Sequence, residues 1–100
     1  MIRERFEFNS GATVSIQANQ LAYCEPRSNV GPYLEVEVGL PRGFSSQDLA
    51  DLQPYQDGPD SQVYGYVPAR VILNIIERHG GHKGSRDALD FLNKVPTSIV

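Results

Sequence analysis

Three residues are best suited to covalent or metal chemistry: Cys24, His79 and His82. A thiol nucleophile needs a neighbouring base and a third group to orient that base. Nothing in the sequence brings Cys24 to either histidine, and Glu25-Pro26 matches no thiol-enzyme signature, so Cys24 reads as an ordinary loop or core thiol. His79 and His82 stand as H-x-x-H across two glycines. Zinc takes three or four ligands, and a single cysteine without nearby paired acids does not complete such a set. His79 falls on the apolar arc of a predicted helix, in its last turn, where imidazole can pack and meet the C-terminal carbonyls. Lys83 lies among glycines, but a phosphate loop needs G-x-x-x-x-G-K-[ST] after a strand. Here Lys83 precedes Gly84 and follows a helix. No catalytic residue, metal ligand or cofactor is therefore assigned, and the chain is expected not to be an enzyme.

Side chains suited to contact rather than chemistry are more numerous. Alternation along the predicted strands sends Tyr33, Glu35, Glu37, Tyr64 and Tyr66 to one sheet face, together with Arg3, Arg5, Glu7, Thr13, Ser15 and Gln17. Exposed tyrosines among charges are typical of protein-binding surfaces, because a tyrosine gives large contact area at low entropic cost. The aperiodic stretch from Asn19 to Pro32 is long for a structureless connection, and such loops are often functional. It adds Tyr23, Glu25 and Arg27. The partner-binding set is then Tyr23, Glu25, Arg27, Tyr33, Glu35, Glu37, Tyr64 and Tyr66, with Asp57 and Asp60 as further acidic positions.

The elements that position these residues follow from pattern. Arg3–Phe8 and Ala12–Ala18 alternate on either side of the turn Asn9-Ser10-Gly11, which predicts a β-hairpin with Phe6, Phe8, Val14 and Ile16 on the core side. Tyr33–Gly39 is a third strand with Leu34, Val36 and Val38 inward. Ser45 or Ser46 caps a short helix with Asp48 in capping-box spacing, Leu49 and Leu52 buried, and Pro54 as its stop. Tyr55–Ser61 is turn chemistry. Val63–Val67 is a fourth strand, read as the centre of the fold, with Val63, Gly65 and Val67 inward and Tyr64 and Tyr66 outward. Gly65, lacking Cβ, would let a helix approach. The helix from Pro68 to His79 carries Ala69, Val71, Ile72, Leu73, Ile75 and Ile76 on an arc of roughly 200°, and Gly80 suits a left-handed cap. Ser85 opens a last helix that ends before Pro96. The expected architecture is a single α+β domain over residues 1–100, with a small antiparallel or mixed sheet of about four strands (β-β-β-α-β-α-α) and helices on one face.

Charge and length set outer bounds. The net charge is −3 over 100 residues. Residues 1–68 hold four Lys/Arg against nine Asp/Glu, net −5, and residues 69–100 hold five against three, net +2. Generic nucleic-acid binding wants a basic excess, and Glu35 and Glu37 would repel phosphates, so direct nucleic-acid binding is not expected. The alternative is a nucleic-acid-associated accessory role through the basic C-terminal third: Arg70, Arg78, Lys83 and Arg86. No stretch reaches ~18 apolar residues, residues 1–5 lack a signal-peptide apolar run, and one cysteine suits a reducing compartment, so a cytoplasmic location without membrane contact is expected. An edge strand could pair across a two-fold axis, which leaves a homodimer open.

In size, acidity, compact build and lack of enzyme motifs, the chain resembles the small standalone proteins of phages and mobile elements, among them anti-CRISPR inhibitors. The likeness is to a class and assigns no role to any one residue. It implies stoichiometric inhibition of a host defence complex, a ribonucleoprotein, by acidic side chains that occlude a basic surface.

Overall fold

The computed structural model describes residues 2–30 and 33–83. Five strands are present among them: β1 (Ile2–Phe8), β2 (Thr13–Ala18), β3 (Glu35–Arg42), β4 (Val63–Pro68) and β5 (His82–Lys83). Two α-helices, α1 (Ser46–Leu52) and α2 (Ala69–Arg78), and one 3-10 turn (Gln53–Tyr55) complete the set. All neighbouring strands run antiparallel, in the order β4-β3-β2-β1-β5. The α+β class is as expected; four strands was an undercount, because the two residues of β5 are too few to show a period. The predicted helix from Ser85 lies outside the described residues.

The hairpin forms as its alternation dictates. Phe6 pairs with Val14, and Phe6, Phe8, Val14 and Ile16 are all buried. Gly11 closes the turn at φ 92°, a conformation that costs glycine little. Val36 and Val38 of β3 continue this core face, and α2 covers it with Ala69, Ile72, Ile75 and Ile76. Each fully buried isoleucine contributes roughly 1.5–3 kcal/mol. Gly80 and Gly81 both take positive φ, and their N–H groups bond Glu77 O and Ile76 O, which caps α2 as the glycines foretold.

β4 stands at the sheet edge, and β2 occupies the middle. Of the stretch 62–81, expected at the centre of the fold, α2 does pack on the core, whereas β4 is an edge strand among the described residues. Its facing also differs. Val36 pairs with Val67 but Val38 pairs with Tyr64, so β4 uses one more residue than β3 across that interval. This is a β-bulge, and an extra residue inverts the alternation on one side of it. Tyr64 is consequently 7% exposed and joins the core, beside the fully buried Val67, while Tyr66 points outward at 42%. Tyr66 takes φ 54°, a left-handed conformation that a bulky residue seldom adopts. A second bulge in β3, between its contacts to Thr13 and Ser15, likewise holds Leu40 at φ 49°.

Tyr33 is also placed inward, with no exposed surface, contrary to its expected outward facing. β3 begins only at Glu35, so strand alternation does not govern Tyr33. Its hydroxyl donates to Ser28 O at 2.9 Å, which satisfies the polar end of a buried ring. The segment 19–30 and 33–34 is thus a built loop. Asn19 Oδ1 accepts from the N–H groups of Leu21 and Ala22, and Glu25 bridges Glu35. Ala22 and Cys24 are buried with the main core. In α1, Ser45 and Asp48 form both hydrogen bonds of the capping box, as the spacing indicates. The buried pair is Asp48 and Leu52, however, and Leu49 is exposed.

Candidate functional site

The outer sheet face and the long loop meet at the β4 bulge. Glu37, between the inward Val36 and Val38, points outward and accepts the Tyr23 N–H on Oε1 at 3.1 Å. The Tyr23 carbonyl accepts from the Tyr66 N–H at 2.9 Å. These two bonds hold Tyr23 across the face. Its ring stacks with Tyr66 at 6.0 Å between centroids and 27° between planes. Gly65 makes the approach feasible: a Cβ built there would sit 3.1 Å from Tyr23 Cβ. The expected close neighbour of Gly65 was a helix, and the observed one is this loop tyrosine. Arg27 extends back so that its guanidinium carbon lies 6.0 Å from the Tyr23 ring centroid.

Of the eight predicted contact residues, these contacts join Tyr23, Arg27, Glu37 and Tyr66; Glu35 lies two positions before Glu37 on the same strand, and Glu25 is bridged to Glu35 through the backbone. Tyr23 and Tyr66 are both 42% exposed, Glu25 and Arg27 are exposed, and Glu35 and Glu37 are half-buried. Tyr33 and Tyr64 drop out, since both are interior. Leu21, on the same loop, is 77% exposed and was not anticipated; as an aperiodic loop residue it gave no signal. Asp57 and Asp60 are exposed on the turn before β4, where Asp57 N–H bonds Val63 O.

A second cluster joins residues the sequence did not connect. His79 Nε2 lies 2.7 Å from Asp48 Oδ2, and His79 Nδ1 lies 2.6 Å from Ser10 Oγ. Asp48 has no exposed surface and also accepts from Arg78 and from the Ser45 N–H. Burial pushes its carboxyl up, but the Ser45 N–H, the His79 ring, the Arg78 guanidinium and the Ser45 hydroxyl outweigh it and hold the carboxyl down at about 2. In one of the ring's tautomers Nε2 donates to the ionised Asp48 and Nδ1 accepts from the Ser10 hydroxyl. That is the order of a nucleophile, a base and its orienting acid.

Acyl transfer needs one thing more: donors aimed at the developing oxyanion. The N–H groups around Ser10 are already engaged. Asn9 N–H bonds Gly81 O, Ser10 N–H bonds His79 O, Gly11 N–H bonds Phe8 O, and Ala12 N–H bonds Ser10 Oγ. Phe8 and Phe44 pack on the His79 ring at 5.5 and 5.6 Å. The cluster thus ties the β1–β2 turn, the start of α1 and the end of α2 together. His79 packs as expected, but its ring nitrogens meet Ser10 and Asp48 rather than helix carbonyls. No local sequence pattern marks this set, because its members are 31 and 69 positions apart.

Of the remaining candidates, Cys24 is an ordinary core thiol, whereas His82 has a buried ring nitrogen, Nδ1, with no hydrogen-bond partner among the described residues. Cys24 is buried, its Sγ lies 3.2 Å from Asn19 O and 3.3 Å from Pro26 O, and burial pushes its thiol up. His82 meets Phe6 edge-on at 5.1 Å. Among the described residues, no group of three or more His, Cys, Asp or Glu side chains is placed to hold a metal ion. Of the basic set, Arg78 pairs with Asp48 and Asp51, Lys83 lies 3.9 Å from Glu7, and Arg70 is exposed on α2. Arg86 lies outside the described residues. No described helix is long and apolar enough to cross a membrane. Compared with protein-family models, curated proteins and solved structures, the chain matches none.

Proposed function

We propose that the chain acts by binding another protein, as a non-enzymatic inhibitor or adaptor, through the surface built from Tyr23, Tyr66, Glu25, Glu35 and Glu37. The observation that carries this reading is the Tyr23–Tyr66 stack, raised on a bulge that keeps Tyr66 at positive φ. Strained, exposed aromatics are costly to fold and cluster at sites of recognition. Leu21, exposed two residues before Tyr23, is a further apolar side chain on the loop, and Glu37 brings a carboxylate to the stack. The likeness to phage anti-defence proteins supplies a specific version: the partner is a host ribonucleoprotein complex, and the carboxylates occlude a basic surface of it.

Affinity purification from host lysate tests the reading, with the parent chain beside a Tyr23→Ala/Tyr66→Ala variant whose fold is checked by circular dichroism. A stoichiometric protein partner held by the parent and lost by the variant is expected. Retention of the same partner by both, or no stoichiometric partner at all, would overturn it.

A further inference from the structure

Arg27, on the same loop as Tyr23 and Glu25, places its guanidinium over the Tyr23 ring and forms no ion pair among the described residues. Glu25 and Glu35 likewise form no ion pair among the described residues. Glu25, Glu35 and Glu37 with Arg27 sum to −2, and Arg3 lies in the same cross-strand row as Glu37, beyond Gln17. A guanidinium is planar and weakly hydrated; it stacks on aromatic faces and pairs in a fork with carboxylates. A lysine ammonium is a compact, strongly hydrated point charge and does only the second, less specifically.

We propose that the Tyr23–Tyr66 surface is an arginine-recognition site: it takes an arginine side chain from an arginine-rich segment of the partner, stacked on the tyrosines and paired with Glu35 and Glu37. Arg27 is the internal competitor that occupies part of the site when no partner is present. This rests on the protein-binding reading and gives it a partner chemistry.

The test is titration of the full chain with three synthetic peptides of equal length, arginine-rich, lysine-rich and glutamate-rich, at about 0.15 M salt, where diffuse surface attraction is largely screened. Saturable binding of the arginine peptide is expected, about five-fold or more tighter than the lysine peptide. Tyr66→Phe, which keeps the ring, retains it, and Tyr66→Ala loses most of it. Glu35→Gln with Glu37→Gln weakens it about ten-fold or more; the glutamine oxygen at 37 can still accept the Tyr23 N–H. Arg27→Ala tightens it, a direction that a purely structural role for Arg27 would not give. Equal binding of the arginine and lysine peptides, indifferent to Tyr66→Ala, would overturn the site. So would no binding, or a preference for the glutamate peptide. If the peptides fail but lysate capture still depends on Tyr23 and Tyr66, the protein-binding surface stands and only its arginine chemistry falls.

Discussion

Asp48→Asn perturbs the buried charge on which three segments converge. In the parent, Asp48 accepts from Ser45, Arg78 and His79 with no exposed surface. Its carboxyl is held at about 2 rather than the ordinary 3.8. That depression corresponds to ~2 kcal/mol of folding stability at neutral pH. Asparagine keeps an acceptor oxygen but loses the charge, so the variant is expected to be less stable by about 2 kcal/mol. For a domain of this size, the melting temperature falls by about 10 °C. Urea denaturation followed by circular dichroism reads the change as a lower midpoint at unchanged slope. The pH dependence has a definite sign. Because the folded carboxyl is depressed, the parent's advantage is complete above the ordinary carboxylate range. It narrows as pH falls from about 4 and is gone below about 2. A variant within ~0.5 kcal/mol of the parent at pH 7, or a gap unchanged at pH 2, would refute the reasoning.

Three further outcomes follow from named contacts. Tyr66→Gly and Tyr66→Ala both remove the ring, but only glycine relieves the backbone at φ 54°; the glycine variant should be more stable by ~1 kcal/mol in parallel urea melts, and equal stabilities would argue against strain. Gly65→Ala places a Cβ 3.1 Å from a Tyr23 that two hydrogen bonds restrain, so a loss of about 1 kcal/mol is expected in the same assay, whereas a stabilised variant would show that the loop yields freely. Hydrolysis of p-nitrophenyl acetate by the parent should match that by Ser10→Ala, since the donors around Ser10 are already engaged; a Ser10-dependent burst of p-nitrophenolate would restore a catalytic reading.

The parts legible in the sequence are those governed by local rules. Phe6, Phe8, Val14 and Ile16 alternate without interruption, and their hairpin formed in the expected facing. Ser45 and Asp48 lie three apart, and the capping box is there. Gly80 marks the end of α2. What escaped was non-local. Alternation assumes one residue per position, and the bulges at Leu40 and Tyr66 break that count for reasons that lie in the partner strands. Tyr64 and Tyr66 look equivalent in a period of two, yet one is core and the other is surface. Tyr33 precedes its strand and obeys the loop's packing instead. The Ser10–His79–Asp48 contacts span the chain and leave no local trace. Tyr23, Arg27 and the glutamates announce themselves by type, while the Tyr23–Tyr66 stack depends on Gly65, whose neighbour is a loop tyrosine rather than a helix.

The central claim is that the surface around Tyr23 and Tyr66 is the face that meets a partner. Amide hydrogen exchange of the chain, free and in complex with a purified partner, tests it most directly. New protection is expected at residues 21–25, 35–37 and 63–67, with the exposed side of α2 around Arg70 and Asn74 unchanged. Protection confined to α1 and α2, with the amides of Tyr23 and Tyr66 exchanging as in the free chain, would contradict it.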